Sequence, residues 1–143
     1  MISCLVIEDD RQTRDLLVAA LARGGVSAHG VGTLAEAQTL PGPDVYLADL
    51  GLPDAKGADV LAVLHGPVVV ITGDESLETL RQCMSAGADD LLYKPARGED
   101  VLRAVLKAAS RGERHRQDAA NVEDAVVGGI RAAFAQGAAA WAT

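Results

Sequence analysis

A chain of 143 residues, 49% of them hydrophobic and 23% charged, can bury a sizeable single core and is too apolar to stay disordered. Its formal net charge of -7 argues against non-specific nucleic-acid binding, which needs Lys and Arg against phosphates, and against anionic membranes. Cys4 and Cys83 have no CxxC spacing and read as ordinary buried thiols. No apolar run approaches the roughly 20 residues of a membrane span. The few residues ahead of the first acidic cluster leave no room for a signal peptide, so the expected compartment is the cytoplasm.

Apolar runs and helical stretches alternate along the chain. Cys4 to Ile7 predicts a short buried strand. Arg11 to Arg23 predicts a helix with Leu16, Leu17, Ala20 and Leu21 on its apolar face, stopped by Gly24-Gly25. Val26 to Val31 is a weaker second strand, and Thr33 with Glu36 forms a capping box for a short helix. Pro41-Gly42-Pro43 ends that segment. Val45 to Ala48 is a third strand, Gly57 to Leu64 a short helix, and Val68 to Ile71 a β-branched fourth strand. Asp74 is placed to cap a helix through Leu77, Leu80, Met84 and Ala86 that Gly87 terminates. Leu91 to Tyr93 belongs to a fifth strand, and Glu99 to about Arg111 to a fifth helix.

Strands separated by helices predict an α/β fold, a doubly wound parallel sheet with helices on both faces. The near-continuous apolar strands agree, because such strands are buried from both sides. In open parallel sheets, sites collect beyond the carboxyl ends of the strands. Strand one ends in Glu8-Asp9-Asp10, strand three in Asp49, strand four in Thr72-Gly73, and strand five in Tyr93-Lys94-Pro95. Any one of these groups alone reads as a helix cap or a solvated loop residue. Together they crowd carboxylates on one rim, and like charges that close raise one another's pKa unless a hard cation sits among them. Mg2+ is the expected cation, with Asp9 and Asp10 as ligands and the Gly51 carbonyl as a further one. Asp49 is followed by a turn rather than a helix, so its carboxylate can project as a nucleophile. The metal offsets its repulsion from an anionic phosphoryl group. Thr72 and Lys94 can each meet a phosphoryl oxygen, and the product is an aspartyl phosphate.

Taken in order, V6-I7-E8-D9-D10, D49-L50-G51-L52-P53-D54 with Gly57, V69-V70-I71-T72-G73, A86-G87-A88-D89-D90 and Y93-K94-P95 resemble the receiver domain of two-component response regulators. The resemblance covers residues 1 to about 111. It implies a flavodoxin-like, five-stranded sheet of order 2-1-3-4-5. It implies Mg2+-dependent phosphotransfer to Asp49 from a histidine kinase or phosphotransfer protein, with output to a downstream protein target. It also implies a cis peptide between Lys94 and Pro95, and movement of Thr72 toward the phosphoryl group together with an aromatic residue two positions before the tyrosine of the Tyr-Lys-Pro motif. That position holds Leu91, which has less bulk and no phenolic hydroxyl. Ala96 stands where the family often has Phe.

Beyond the receiver, residues 112–120 form a polar hinge and residues 121–143 an amphipathic helical extension. Val122, Val126, Ile130, Phe134 and Ala138 recur every four residues, with Trp141 near the same face. Such a stripe pairs with its copy in a homodimer, folds back on its own receiver, or docks another protein. Residues 112–143 hold Arg114, Arg116 and Arg131 and lack a second convincing helix, so no nucleic-acid output is expected. Two functions compete with a phosphoacceptor: a receiver-shaped interaction module that does not use phosphorylation, and a Mg2+-dependent small-molecule phosphohydrolase. The intact Asp, Thr and Lys set argues against the first. The second needs a lid or a further acid-base group that does not stand out.

Overall fold

The computed structural model describes residues 1–114. The chain divides into two units, Met1–Ser110 and Arg111–Thr143. Five parallel strands, β1 (Ser3–Ile7), β2 (Ser27–Val31), β3 (Val45–Asp49), β4 (Val68–Thr72) and β5 (Asp90–Tyr93), form one sheet of order β2-β1-β3-β4-β5. Between them lie α1 (Arg11–Arg23), α2 (Leu34–Gln38), α3 (Asp59–Ala62) and α4 (Leu77–Ser85). Residues 98–114 are helical and are labelled α5. The stripe of Val122, Val126, Ile130, Phe134 and Trp141 lies outside the described residues.

The period-two alternation of the strands builds two cores at once. Leu5, Ile7, Tyr46, Ala48, Val68 and Val70 face one side, with Leu34 and Ala37 of α2, Val60 and Leu61 of α3 and Cys83 of α4. Cys4, Val6, Val45, Leu47, Val69 and Ile71 face the other, with Leu17 and Leu21 of α1 and Val101, Ala104, Val105 and Ala108 of α5. Every residue of β3 and β4 is buried, as central strands covered on both faces must be. Edge strand β2 is mostly open and starts at Ser27 rather than Val26.

Several local expectations are corrected. Leu16 is 65% exposed, because the core-facing stripe of α1 runs through Leu17 and Leu21. The third helix contracts to Asp59–Ala62. Ser76, not Asp74, is the N-cap of α4: Ser76 Oγ accepts from Thr79 N–H at 3.2 Å. Asp74 braces that cap, accepting from Ser76 N–H at 2.9 Å and Thr79 Oγ1 at 2.5 Å. Asp10 is the N-cap of α1, accepting from Thr13 N–H at 2.9 Å and Thr13 Oγ1 at 2.5 Å. Thr33 caps α2, accepting from Glu36 N–H at 3.1 Å. Gly25 (φ 87°) and Gly87 (φ 94°) turn the chain out of α1 and α4 in a conformation that side chains avoid.

Two stability outcomes follow. Leu47 is fully buried in the central strand, so L47A should lower the free energy of unfolding by about 3 kcal/mol, read as a shifted urea midpoint with unchanged slope. D10A removes a helix cap and should lower the urea midpoint by less than L47A does.

Candidate phosphoacceptor site

The site forms where β1, β3, β4 and β5 end. Asp49 is the last residue of β3, 7% exposed, and its Oδ1 accepts the Gly51 N–H at 3.2 Å, so the turn holds the carboxylate at the strand tip. Glu8 follows β1 directly. Its N–H donates to Val31 O at 3.0 Å, which extends the ladder by one residue and draws the side chain into the interior, where it is 1% exposed. The Lys94 Nζ donates to Glu8 Oε1 at 2.8 Å and to Asp49 Oδ2 at 3.3 Å, so one ammonium bridges two buried carboxylates. Lys94 is itself held by its backbone, whose N–H donates to Thr72 O at 2.8 Å, and the Lys94–Pro95 peptide bond is cis. Thr72 is buried at the end of β4, and its Oγ1 accepts the Asp74 N–H at 3.1 Å.

The carboxylates that group are Glu8, Asp9 and Asp49, with one ligand atom from each within 4.8 Å of the others. Asp10 is not among them. Its carboxylate is committed to the first turn of α1, so the acidic pair on strand one is Glu8–Asp9 and not Asp9–Asp10. Glu8 Oε2 is buried with no hydrogen-bond partner, a costly arrangement for a carboxylate. An unsatisfied oxygen facing two further carboxylates suits a hard cation, which takes oxygen donors and tolerates several anionic ones.

The protons distribute accordingly. Burial, then the neighbouring Asp49 carboxylate, pushes the Glu8 carboxyl up to about 7 against the pull of Lys94. Burial also raises Asp49, but the adjacent Glu8 carboxyl, the Gly51 N–H and the Lys94 ammonium outweigh it and hold Asp49 below the usual range. Burial lowers Lys94, yet its bond to Glu8 and the charges of Asp49 and Glu8 raise it on balance. Near neutral pH the metal-free site therefore holds an ionised Asp49, a charged Lys94 and a Glu8 that keeps its proton much of the time.

Leu91 is half-buried against the core on the side of α2, α3 and α4, and Tyr93 at the strand end is 38% exposed. Val101, Val105 and Ala108 of α5 are core residues, whereas Arg81 and Met84 of α4 are exposed. His29 and His65 are exposed and take no part in the site. No helix of the described residues is long and apolar enough to cross a membrane.

Comparison with known proteins places this geometry in a family. The model of the response regulator receiver domain matches residues 4–106. The chain is 41% identical over 115 residues to the transcriptional regulatory protein KdpE of Mycobacterium tuberculosis, spanning 75% of this chain and 50% of that protein. It is 34% identical over 119 residues to KdpE of Escherichia coli, spanning 78% and 52%. The chain thus spans about half the length of these curated relatives. A CheY-like receiver domain from Methanospirillum hungatei has the same fold, with a TM-score of 0.75 at 24% identity over 80% of this chain and 98% of that one. The chain belongs to the response regulator receiver domain family.

Proposed function

We propose that Asp49 accepts a phosphoryl group from the phosphohistidine of a histidine kinase or histidine phosphotransfer protein, with Mg2+ held by Glu8, Asp9 and Asp49 and by the carbonyl of Gly51. The observation that carries this is the Lys94 ammonium between two buried carboxylates, one of which keeps an unpartnered oxygen. When bound, the cation neutralises charge between the carboxylates and the incoming phosphoryl oxygens. Asp49 Oδ attacks phosphorus, an O–P bond forms, and the P–N bond breaks with its electron pair leaving on the imidazole nitrogen. Water later cleaves the acyl phosphate. Gly51 N–H holds the Asp49 carboxylate in place for attack. Lys94 meets a phosphoryl oxygen as a point charge, and the Thr72 hydroxyl, which accepts the Asp74 N–H, donates its own O–H to another. Leu91 moves with Thr72 without the hydroxyl an aromatic switch would add. The chain is thus a phosphoacceptor that catalyses its own transfer and hydrolysis. It acts in the cytoplasm and reports through protein contacts, and the stripe from Val122 to Trp141 is an element for dimerisation or docking.

Incubation with acetyl phosphate and Mg2+ should add one phosphoryl group by intact mass. The addition should be absent from D49A and from a metal-free control. Failure of wild type to gain mass or to bind beryllofluoride would favour a phosphorylation-independent interaction module. In calorimetric titration, D9N should weaken Mg2+ binding more than D10A does.

Stability should also depend on pH through Glu8. Its folded-state pKa of about 7 lies above the ordinary 4.5, so the folded state holds the proton more tightly than the unfolded chain does. That contribution is fully present below about pH 4.5 and is lost as pH rises through about 7. Urea midpoints of the metal-free protein should fall across that interval, and E8Q should flatten the slope. Asp49, held below its usual range, acts in the opposite sense at lower pH, where its contribution is lost on protonation.

A further inference from the structure

We propose that Arg14 is a positioning residue for the carboxylate pocket: its side chain, running over Gly30 and Gly32 at the end of β2, fixes the turn that aims Glu8 and Asp9 at Asp49. The inference rests on the assignment of Glu8, Asp9 and Asp49 as the cation pocket.

Arg14 sits one turn into α1 and does not reach the carboxylates to pair with them. Its Nη1 donates instead to the backbone carbonyl of Glu8 at 2.9 Å. The Glu8 N–H already donates to Val31 O at 3.0 Å. Both backbone groups of Glu8 are thus tied down, one by β2 and one by Arg14. The helix that carries Arg14 is fixed at its start by the Asp10 cap, and Arg14 N–H donates to Asp10 O at 2.9 Å. Asp9 lies inside this closed loop of contacts.

The path of the Arg14 side chain explains an odd stretch of sequence. Glycine weakens a strand, yet β2 and the residue after it carry Gly30 and Gly32. A Cβ at Gly30 would lie 2.8 Å from Arg14 Cγ and 3.0 Å from Cδ, and a Cβ at Gly32 would lie 3.1 Å from Nη1. The two missing side chains leave the track along which the arginine runs.

Electrostatics alone gives no reason to keep a cation here. A positive charge beside a cation pocket weakens cation binding, so removing it should tighten Mg2+ if charge were the only effect. Loss of positioning has the opposite sign. Outer contacts that orient metal ligands are worth about 10-fold or more in metal affinity. Lys cannot reproduce the planar fork, so R14K should also lose affinity with its charge intact. G30V keeps every charge and suits an edge strand, but displaces the arginine stem.

The test is calorimetric titration of the full chain with Mg2+, beside thermal unfolding of the metal-free proteins. R14A, R14K and G30V should each weaken Mg2+ about 10-fold while their metal-free forms unfold cooperatively. Mg2+ binding by R14A as tight as wild type or tighter overturns the proposal. Should R14A fail to fold, G30V decides alone: unchanged affinity in G30V overturns it. A wild-type chain that binds no Mg2+ removes the pocket itself, and the proposal with it, so the wild-type titration separates the two failures.

Discussion

Two buried carboxylates that share one ammonium constrain everything else at this end of the sheet. Glu8 and Asp49 are 1% and 7% exposed, and Lys94 is the cation that bonds to both. Removing one partner from such a set leaves an uncompensated buried charge, which is far more costly than losing a surface pair. The set is nonetheless incomplete, because Glu8 Oε2 has no partner. A folded state that buries an unsatisfied carboxylate oxygen next to two other carboxylates is built for an additional positive charge. Until that charge arrives, the proton on Glu8 relieves part of the strain.

The fold can carry this load because the two cores are independent of it. Alternate residues of β1, β3 and β4 pack against α1 and α5 on one side and against α2, α3 and α4 on the other. Neither cluster includes the acidic groups, which sit past the last apolar residue of each strand. Stability is thus spent in the body of the sheet and charge is concentrated at its rim. A change of charge there can alter the rim without dismantling the core.

Most of the framework was legible because apolar runs and their breakers are local. The strand tips could be ordered from where each run stopped, which led to Asp49, Thr72 and Lys94. Asp10 takes a role that is also local: a carboxylate three residues ahead of Thr13 accepts a free N–H of the first turn of α1. Glu8 was placed at the end of strand one but given no role of its own, whereas its backbone bond to Val31 just past β1 turns its carboxyl into the interior. Its signal was available in Lys94, the lysine after the fifth strand, which needs a buried partner beyond Asp49. Leu16 misled for the converse reason, since a leucine adjacent to a core-facing leucine on a helix points about 100° away.

The remaining feature could not be read from spacing at all, because it depends on which loops meet. Each acidic loop of the site runs into a helix end that a side chain closes. The Glu8–Asp9 turn runs into α1 through the Asp10 cap. The loop after Asp49 reaches across to α2, where Asp54 accepts from Leu34 N–H at 3.0 Å and from Ala35 N–H at 2.9 Å. The loop after Thr72 runs into α4 through Asp74 and Ser76. Displacement of the Asp49 loop therefore loads the start of α2 through two hydrogen bonds, and displacement of Thr72 loads the start of α4 through Asp74, whose N–H it accepts and whose carboxylate braces the Ser76 cap. Helix ends have few internal bonds to lose and move at lower cost than their middles. A charge added at Asp49 is thus coupled first to the ends of the helices nearest the rim, and only then to the packed cores beneath them.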